Sequence, residues 1–194
     1  VKIDPSAFHA FTVKYNGLVN RIVTDVHLSV PNSPDQFAAP LLPQVRTTAL
    51  WDTGATSSVL TATVAKQLAL TSVGLLQVKH AGGSDHRNAY VVNFFLPNMV
   101  VVSNVMVSEC ADTGQFGAII GMDIIARGDF SLTNVNGETW ASFRIPSVSP
   151  IDYVAEADRL KFAGVNRNAP CPCGKQINGK PVKFKHCHGD LSLS

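Results

Sequence analysis

Between Phe8 and about Pro146 the chain is built of short runs of Val, Ile, Phe and Thr, each cut off within a few residues by Gly, Pro or Asn. Runs this short, bounded by turn-forming residues, restrict this part of the chain to a mainly β fold of many short strands. Asn16-Gly17, between residues 8–15 and 18–30, reads as a two-residue hairpin turn because both positions tolerate positive φ. In the second of these runs Ile22, Val26, Leu28 and Val30 alternate with Asp25, His27 and Ser29, giving one buried and one wet face. Four prolines from Pro31 to Pro43 predict an irregular connection. Helix is the minority. Thr61 is placed to cap a short helix through Leu68, with Val64, Ala65 and Leu68 on one face, and residues 122–126 form another. Residues 77–80 and 90–96 bracket a glycine-containing tip at 81–87, and a final hairpin turns at Asn136-Gly137.

A length of 194 residues suits one compact domain with an appendage. With 45% hydrophobic and 15% charged residues and a formal charge of +2, the chain has the balance of an ordinary globular protein. That charge does not mark the main domain as a nucleic-acid binder. No apolar run approaches the roughly 20 residues that cross a bilayer, and Val1 through Asp4 lack a leader pattern. The missing initial Met leaves room for a leader that was removed. Three of the four cysteines, Cys171, Cys173 and Cys187, fall in the last 24 residues. Cys171 and Cys173 are separated by a single proline, too close and stiff for an easy mutual disulfide, whereas thiolates grouped near histidine suit Zn²⁺. These features set the expectation of a cytoplasmic, reducing location.

Peptide hydrolysis by carboxylates uses two of them, one ionised to take a proton from water and one protonated to polarise the scissile carbonyl. The local requirement is a tight turn that pushes an aspartate off the end of a buried strand, with a small residue behind it. Ala49-Leu50-Trp51-Asp52-Thr53-Gly54-Ala55-Thr56 meets it. Asp52-Thr53-Gly54-Ala55 resembles the active-site motif of retropepsins and the retropepsin-like bacterial peptidases. Ala118-Ile119-Ile120-Gly121-Met122-Asp123-Ile124-Ile125 resembles their second motif, an apolar strand ending in glycine and opening a helix. Ala81-Gly82-Gly83 occupies the place of the substrate-covering flap.

The resemblance covers roughly residues 8–145 and implies a closed, half-pepsin barrel with one or two short helices. It also implies an aspartic endopeptidase acting on peptide or protein substrates. Asp52 would be catalytic, Thr53, Gly54, Ala55 and Gly121 would form the active-site loops, and Gly82 and Gly83 the substrate-binding flap. Asp112-Thr113-Gly114 follows a polar connection and reads as a turn, and Asp123 reads as a helix N-terminal charge. No second suitably framed aspartate exists in the sequence, so the pair would be completed by Asp52 of a second subunit, with Thr53 bracing the two loops and terminal strands knitting the dimer. Pepsin-like enzymes carry serine where this chain has Ala55. Without that hydroxyl, activity is expected to lean toward mildly acidic or near-neutral pH.

Around residues 146–150 the composition changes. The expected division is a protease domain at 1–148, a linker with a short helix at 149–166, and a metal-binding tail at 167–190. The tail, Ala169-Pro170-Cys171-Pro172-Cys173-Gly174 followed by Lys183-Phe184-Lys185-His186-Cys187-His188-Gly189, resembles the SEC-C zinc motif. Residues 176–181 lengthen its spacer and look like an insertion. The resemblance implies one structural zinc held by Cys171, Cys173, Cys187 and His188, with His186 as the alternative to His188. Without metal the tail is expected to be unfolded. Lys175, Lys180, Lys183 and Lys185 surround it with charge, which suits a docking partner. The competing reading of the whole chain is an inactive dimeric peptide-binding adaptor with a docking tail.

Overall fold

The computed structural model describes residues 8–31, 43–80 and 83–189. The chain divides into two units, Val1–Val148 and Ser149–Ser194. No helix among the described residues is long and apolar enough to cross a membrane.

The first unit runs through β1 (His9–Lys14), β2 (Ile22–Ser29), β3 (Gln44–Trp51), β4 (Val59–Thr61), α1 (Ala62–Gln67), β5 (Gly74–His80), β6 (Gly83–Leu96), β7 (Val100–Cys110), β8 (Ala118–Ile120), α2 (Met122–Ile125), β9 (Asp129–Val135) and β10 (Glu138–Ile145). Seven strands hydrogen-bond in the order β2-β3-β8-β4-β7-β6-β5, and β2 also pairs with β6. That extra pairing closes six of them into a barrel and leaves β5 as the outer arm of a hairpin with β6, so the mainly β, closed-barrel fold with short helices is what forms. Closure needs a polar joint where β6 bulges. Buried Asn93 donates through Nδ2 to Ser29 Oγ (3.3 Å) and to the Val30 carbonyl (3.2 Å), and its Oδ1 accepts from Asn104 N–H (2.9 Å). Ser29 is thus fully buried, although the alternation placed it on the wet face. The rest of β2 follows the pattern, with Val26 and Leu28 in the core and Asp25 and His27 exposed.

The Asn16-Gly17 hairpin is corrected by the structure. β1 pairs with β10, and β2 pairs with β3, so the two runs go to different sheets. The turn is pinned instead to β10, through Tyr15 N–H to the Thr139 carbonyl (2.8 Å) and Thr139 N–H to the Gly17 carbonyl (3.0 Å). The Asn136-Gly137 turn does form its hairpin, with φ of 54° and 76° and Val135 opposite Glu138. The β5–β6 pairing is longer than its composition suggested: residues 84–87 lie in strand, and the register runs from Gly74 opposite Ala89 to His80 opposite Gly83. The proline-rich connection at 32–42 and Gly82 lie outside the described residues.

The small sheet β1-β10-β9 joins the barrel through an aromatic cluster centred on Trp51. Its indole stacks on Phe130 (5.1 Å, 1° between planes) and meets Phe143 (5.1 Å) and Phe11 (5.8 Å), while Nε1 donates to Thr24 Oγ1 (2.9 Å). Trp51 is therefore core, which fixes the end of β3 just before Asp52.

In the same sheet, burial by itself would push the Asp129 carboxyl up. Hydrogen bonds from Ser147, from the Arg144 guanidinium and from Val148 N–H, with the Arg144 charge, outweigh it and hold Asp129 below its ordinary value. Stability from such a group is complete above its unfolded value and is lost as pH falls through the folded one. Thermal melts are expected to show the unit weakening below about pH 4, and Asp129→Asn to flatten that part of the profile while lowering stability at neutral pH.

The second unit contains α3 (Tyr153–Lys161), β11 (Gln176–Ile177), β12 (Lys180–Pro181) and a 3₁₀ turn at Phe184–His186. The apparent insertion at 176–181 is the β11–β12 hairpin, turning at Asn178-Gly179 with φ of 51° and 73°. Phe162, Cys171 and Phe184 form the small core, with Val165 and Cys187 packed against it.

Candidate functional site

β3 and β8 run side by side in parallel, Trp51 opposite Ile120, so the residues that follow each strand emerge together. These are Asp52 and Gly121. Asp52 N–H extends the ladder to the Ile120 carbonyl (2.9 Å), and the chain then turns, with Ala55 N–H donating to the Asp52 carbonyl (3.2 Å). Inside the turn Asp52 Oδ1 accepts from Gly54 N–H (2.8 Å). Asp52 and Ala55 are half-buried, and Thr53 and Gly54 are exposed.

The two motifs are fastened by hydrogen bonds that the sequence reading did not anticipate. Met122 N–H donates to the Ala55 carbonyl (2.8 Å). Asp123 Oδ1 accepts from Ser58 N–H (2.9 Å) and Ser58 Oγ (2.7 Å), and Ser58 Oγ accepts from Gly121 N–H (3.0 Å). Asp123 does lie in the first turn of α2, but it also ties that helix to the Asp52 loop. The only sequence signal was a serine six positions past Asp52 and an acidic residue two past Gly121, neither distinctive on its own. Gly121 is required by space: a Cβ there would sit 2.6 Å from Ser57 C, 2.8 Å from Ser57 O and 2.9 Å from Ala55 O.

Asp52 pairs with no cation among the described residues. Every other described carboxylate of the unit is committed. Asp25 meets Arg46 (3.1 Å), Asp85 meets Arg87 (2.6 Å) and Glu138 meets Lys14 (2.8 Å). Glu109 accepts from Tyr90 Oη (2.6 Å), and Asp129 holds Arg144. Asp112 accepts from Thr63 N–H (3.3 Å) and Oγ1 (3.0 Å), completing the cap of α1 begun by Thr61, so its Asp-Thr-Gly is structural. Gly83 opens β6, exposed, at a φ of 131°.

In the second unit Cys171, Cys173, Cys187 and His188 bring their ligand atoms within 4.8 Å of one another. The pairs Cys171 Sγ–His188 Nδ1, Cys187 Sγ–His188 Nδ1 and Cys173 Sγ–Cys187 Sγ are 3.3, 3.4 and 3.6 Å apart. A tetrahedral ion with bonds of about 2.3 Å to sulfur and 2.0–2.1 Å to nitrogen spaces its ligands by roughly 3.5 Å, so this donor set could hold a metal. His188 joins the cluster and His186 does not. Packed together, the thiols are unequal. Burial opposes ionisation of Cys171, yet the Cys173 N–H and His188 bring it down to about 6; burial and the neighbouring sulfurs push Cys187 up to about 11. Crowded sulfurs that hinder one another's ionisation are what a bound dication would relieve. Cys110 stands apart from the cluster, its thiol pushed up by burial and then by Asp112.

The family described as aspartyl protease matches residues 42–124, the stretch that holds both motifs. Among solved structures, a retropepsin-like aspartic protease from Rickettsia conorii is similar at 12% identity, TM-score 0.43, covering 71% of this chain and 94% of that one. The protease of Simian Foamy Virus (mac) is similar at 11% identity, TM-score 0.36, covering 54% and 92%. Among curated proteins, the protein translocase subunit SecA of Variovorax paradoxus (strain S110) is 58% identical over 36 residues, and that of Anaplasma marginale (strain St. Maries) 44% identical over 48. These stretches are 19% and 25% of this chain and only 3% and 5% of the SecA chains. The match at 42–124 supports the aspartic protease resemblance, and the Cys/His cluster fits a zinc-binding SEC-C motif.

Proposed function

We propose, from the premise of an aspartyl protease segment at residues 42–124, that the chain is an aspartic endopeptidase active as a homodimer. Each subunit would supply Asp52 as half of the catalytic pair. The observation that carries this reading is the placement of Asp52: one carboxylate with no cation partner among the described residues, at the end of a buried strand, on a turn fastened to Gly121 and Asp123. Two carboxylates brought close resist both ionising, so they share a proton, and a water between them is activated by the ionised one while the protonated one polarises the scissile carbonyl. Because the other described carboxylates of the unit are engaged, the second comes from another copy across a two-fold axis. Thr53 braces the paired loops. Gly82 and Gly83 take the flap role, an extended substrate pairing its backbone beneath them as an added strand.

Cys171, Cys173, Cys187 and His188 hold a zinc ion with no open position, so the metal organises the tail and leaves hydrolysis to the carboxylates. Around it, Lys175, Lys180 and Lys183 are exposed, a surface suited to a docking partner. Thiols kept for metal accord with a reducing, cytoplasmic location.

The test is mass-spectrometric cleavage of a diverse peptide library between about pH 4 and 8, wild type against Asp52→Asn, both zinc-loaded. Cuts made by the wild type alone support the protease. Silence from a dimeric wild type, or identical cuts from both proteins, overturns it and leaves a peptide-binding adaptor. Chelating the zinc is expected to leave cleavage largely intact; its complete loss would refute the structural role given to the metal.

A further inference from the structure

We propose that α3 is part of the metal module rather than a linker to it: Asp158 and Phe162 support the His188 ligand from outside, and α3 folds only with the metal bound. This rests on reading the four donors as a metal site.

α3 has nine residues, and isolated helices shorter than about 12–15 residues are marginal in water. Its own apolar side chains do little to hold it, since Tyr153, Val154 and Leu160 are 63%, 74% and 72% exposed. The anchor is Phe162, the C-cap residue, which is buried. Its ring lies 5.8 Å from Phe184 and 4.6 Å from the imidazole of His188, and Cys171 belongs to the same small core. The backbone after the cap turns inward, with Gly164 at a φ of 80° and Val165 N–H donating to the Phe162 carbonyl (3.2 Å). The helix therefore ends on a small core that Phe184 and Val165 share with the donors Cys171 and Cys187.

One turn earlier, Asp158 faces the same histidine. His188 presents Nδ1 to the sulfurs of Cys171 and Cys187, and its Nε2 lies 3.9 Å from Asp158 Oδ2. At that distance the contact is an electrostatic approach and not a closed hydrogen bond. With Nδ1 committed to the metal, the remaining ring N–H points at a carboxylate. Metal-bound histidines are commonly oriented and made more basic in this way. The tail has too little apolar surface to order these groups unaided, so the order of α3 is coupled to occupancy of the site.

The full chain would be loaded with Zn²⁺, its metal content measured, and amide hydrogen exchange followed before and after chelation. The amides of residues 156–163 are expected to lose protection together with those of the tail, while the barrel strands keep theirs. Asp158→Asn should weaken Zn²⁺ binding about ten- to a hundredfold in chelator competition, while its Co²⁺ form keeps the wild-type spectrum because the four ligands are unchanged. Protection of α3 that survives removal of the metal, or wild-type Zn²⁺ affinity in Asp158→Asn, would overturn the inference. A chain that takes up no Zn²⁺ would overturn the metal site itself, and the inference with it.

Discussion

Adding a fourfold excess of Asp52→Asn chains to wild-type chains, with time for subunits to exchange, is expected to cut activity to about one fifth of that of the same wild-type concentration alone. The expectation follows from the proposed site, which would need two carboxylates while each chain would offer one. Random pairing leaves only about one wild-type subunit in five with a wild-type partner, and mixed dimers hold one carboxylate and one amide. The amide neither takes the proton from water nor shares one with its partner, so the variant's own activity should fall by about 10²–10⁴-fold or more. Asparagine keeps the shape of the side chain and can still accept the Gly54 N–H at Oδ1, so the variant should fold and pair as the wild type does. Activity per wild-type chain that stays constant as the variant is added would mean that each chain works alone. The dimeric site would then be wrong even if the protease is right.

What was legible in the sequence follows the range of the interactions involved. α1 was readable because its cap, Thr61, and its buried face, Val64, Ala65 and Leu68, lie within one short segment. Asn136-Gly137 was readable because a tight turn dictates its own register. Asn16-Gly17 carries the same local signal, but the partner of β1 is β10, far away in the chain, and its six-residue ladder prevails over the turn preference. Ser29 was misplaced for a similar reason: its burial comes from Asn93, at a bulge of a distant strand. In the candidate site, the Asp-Thr-Gly turn announces itself, whereas the Ser58–Asp123 connection joins residues 65 apart and depends on the parallel register of β3 and β8. The Cys/His cluster was visible as a spacing, whereas which histidine joins it depends on the 3₁₀ turn at Phe184–His186, which leaves His188 beside Cys171 and Cys187.

Gly121→Ala is expected to damage both stability and activity, and far more than a surface Gly→Ala change. The added Cβ would stand 2.6 Å from Ser57 C, 2.8 Å from Ser57 O and 2.9 Å from Ala55 O. All three are backbone atoms, so no side chain can swing aside, and the loop itself must retreat. Overpacking of this kind costs about 1–3 kcal/mol, or a fall of several degrees in melting temperature for a unit of this size. Activity should suffer beyond what stability explains. One of the atoms that must move, Ala55 O, accepts the Met122 N–H bond that holds the Asp52 turn against α2, and Gly121 N–H itself donates to Ser58 Oγ in the residue after Ser57. A shift of about 1 Å in a positioned reacting group can cost on the order of 100-fold in rate. Gly54→Ala is the control: its Cβ meets only Asp52 Oδ1, at 3.2 Å, the end of a side chain that can rotate. It should cost little stability while still disturbing the carboxylate. Calorimetry and cleavage rates on both variants separate the two effects. If Gly121→Ala melts and cleaves like the wild type, the close approach of α2 to the Asp52 loop is not what positions the site.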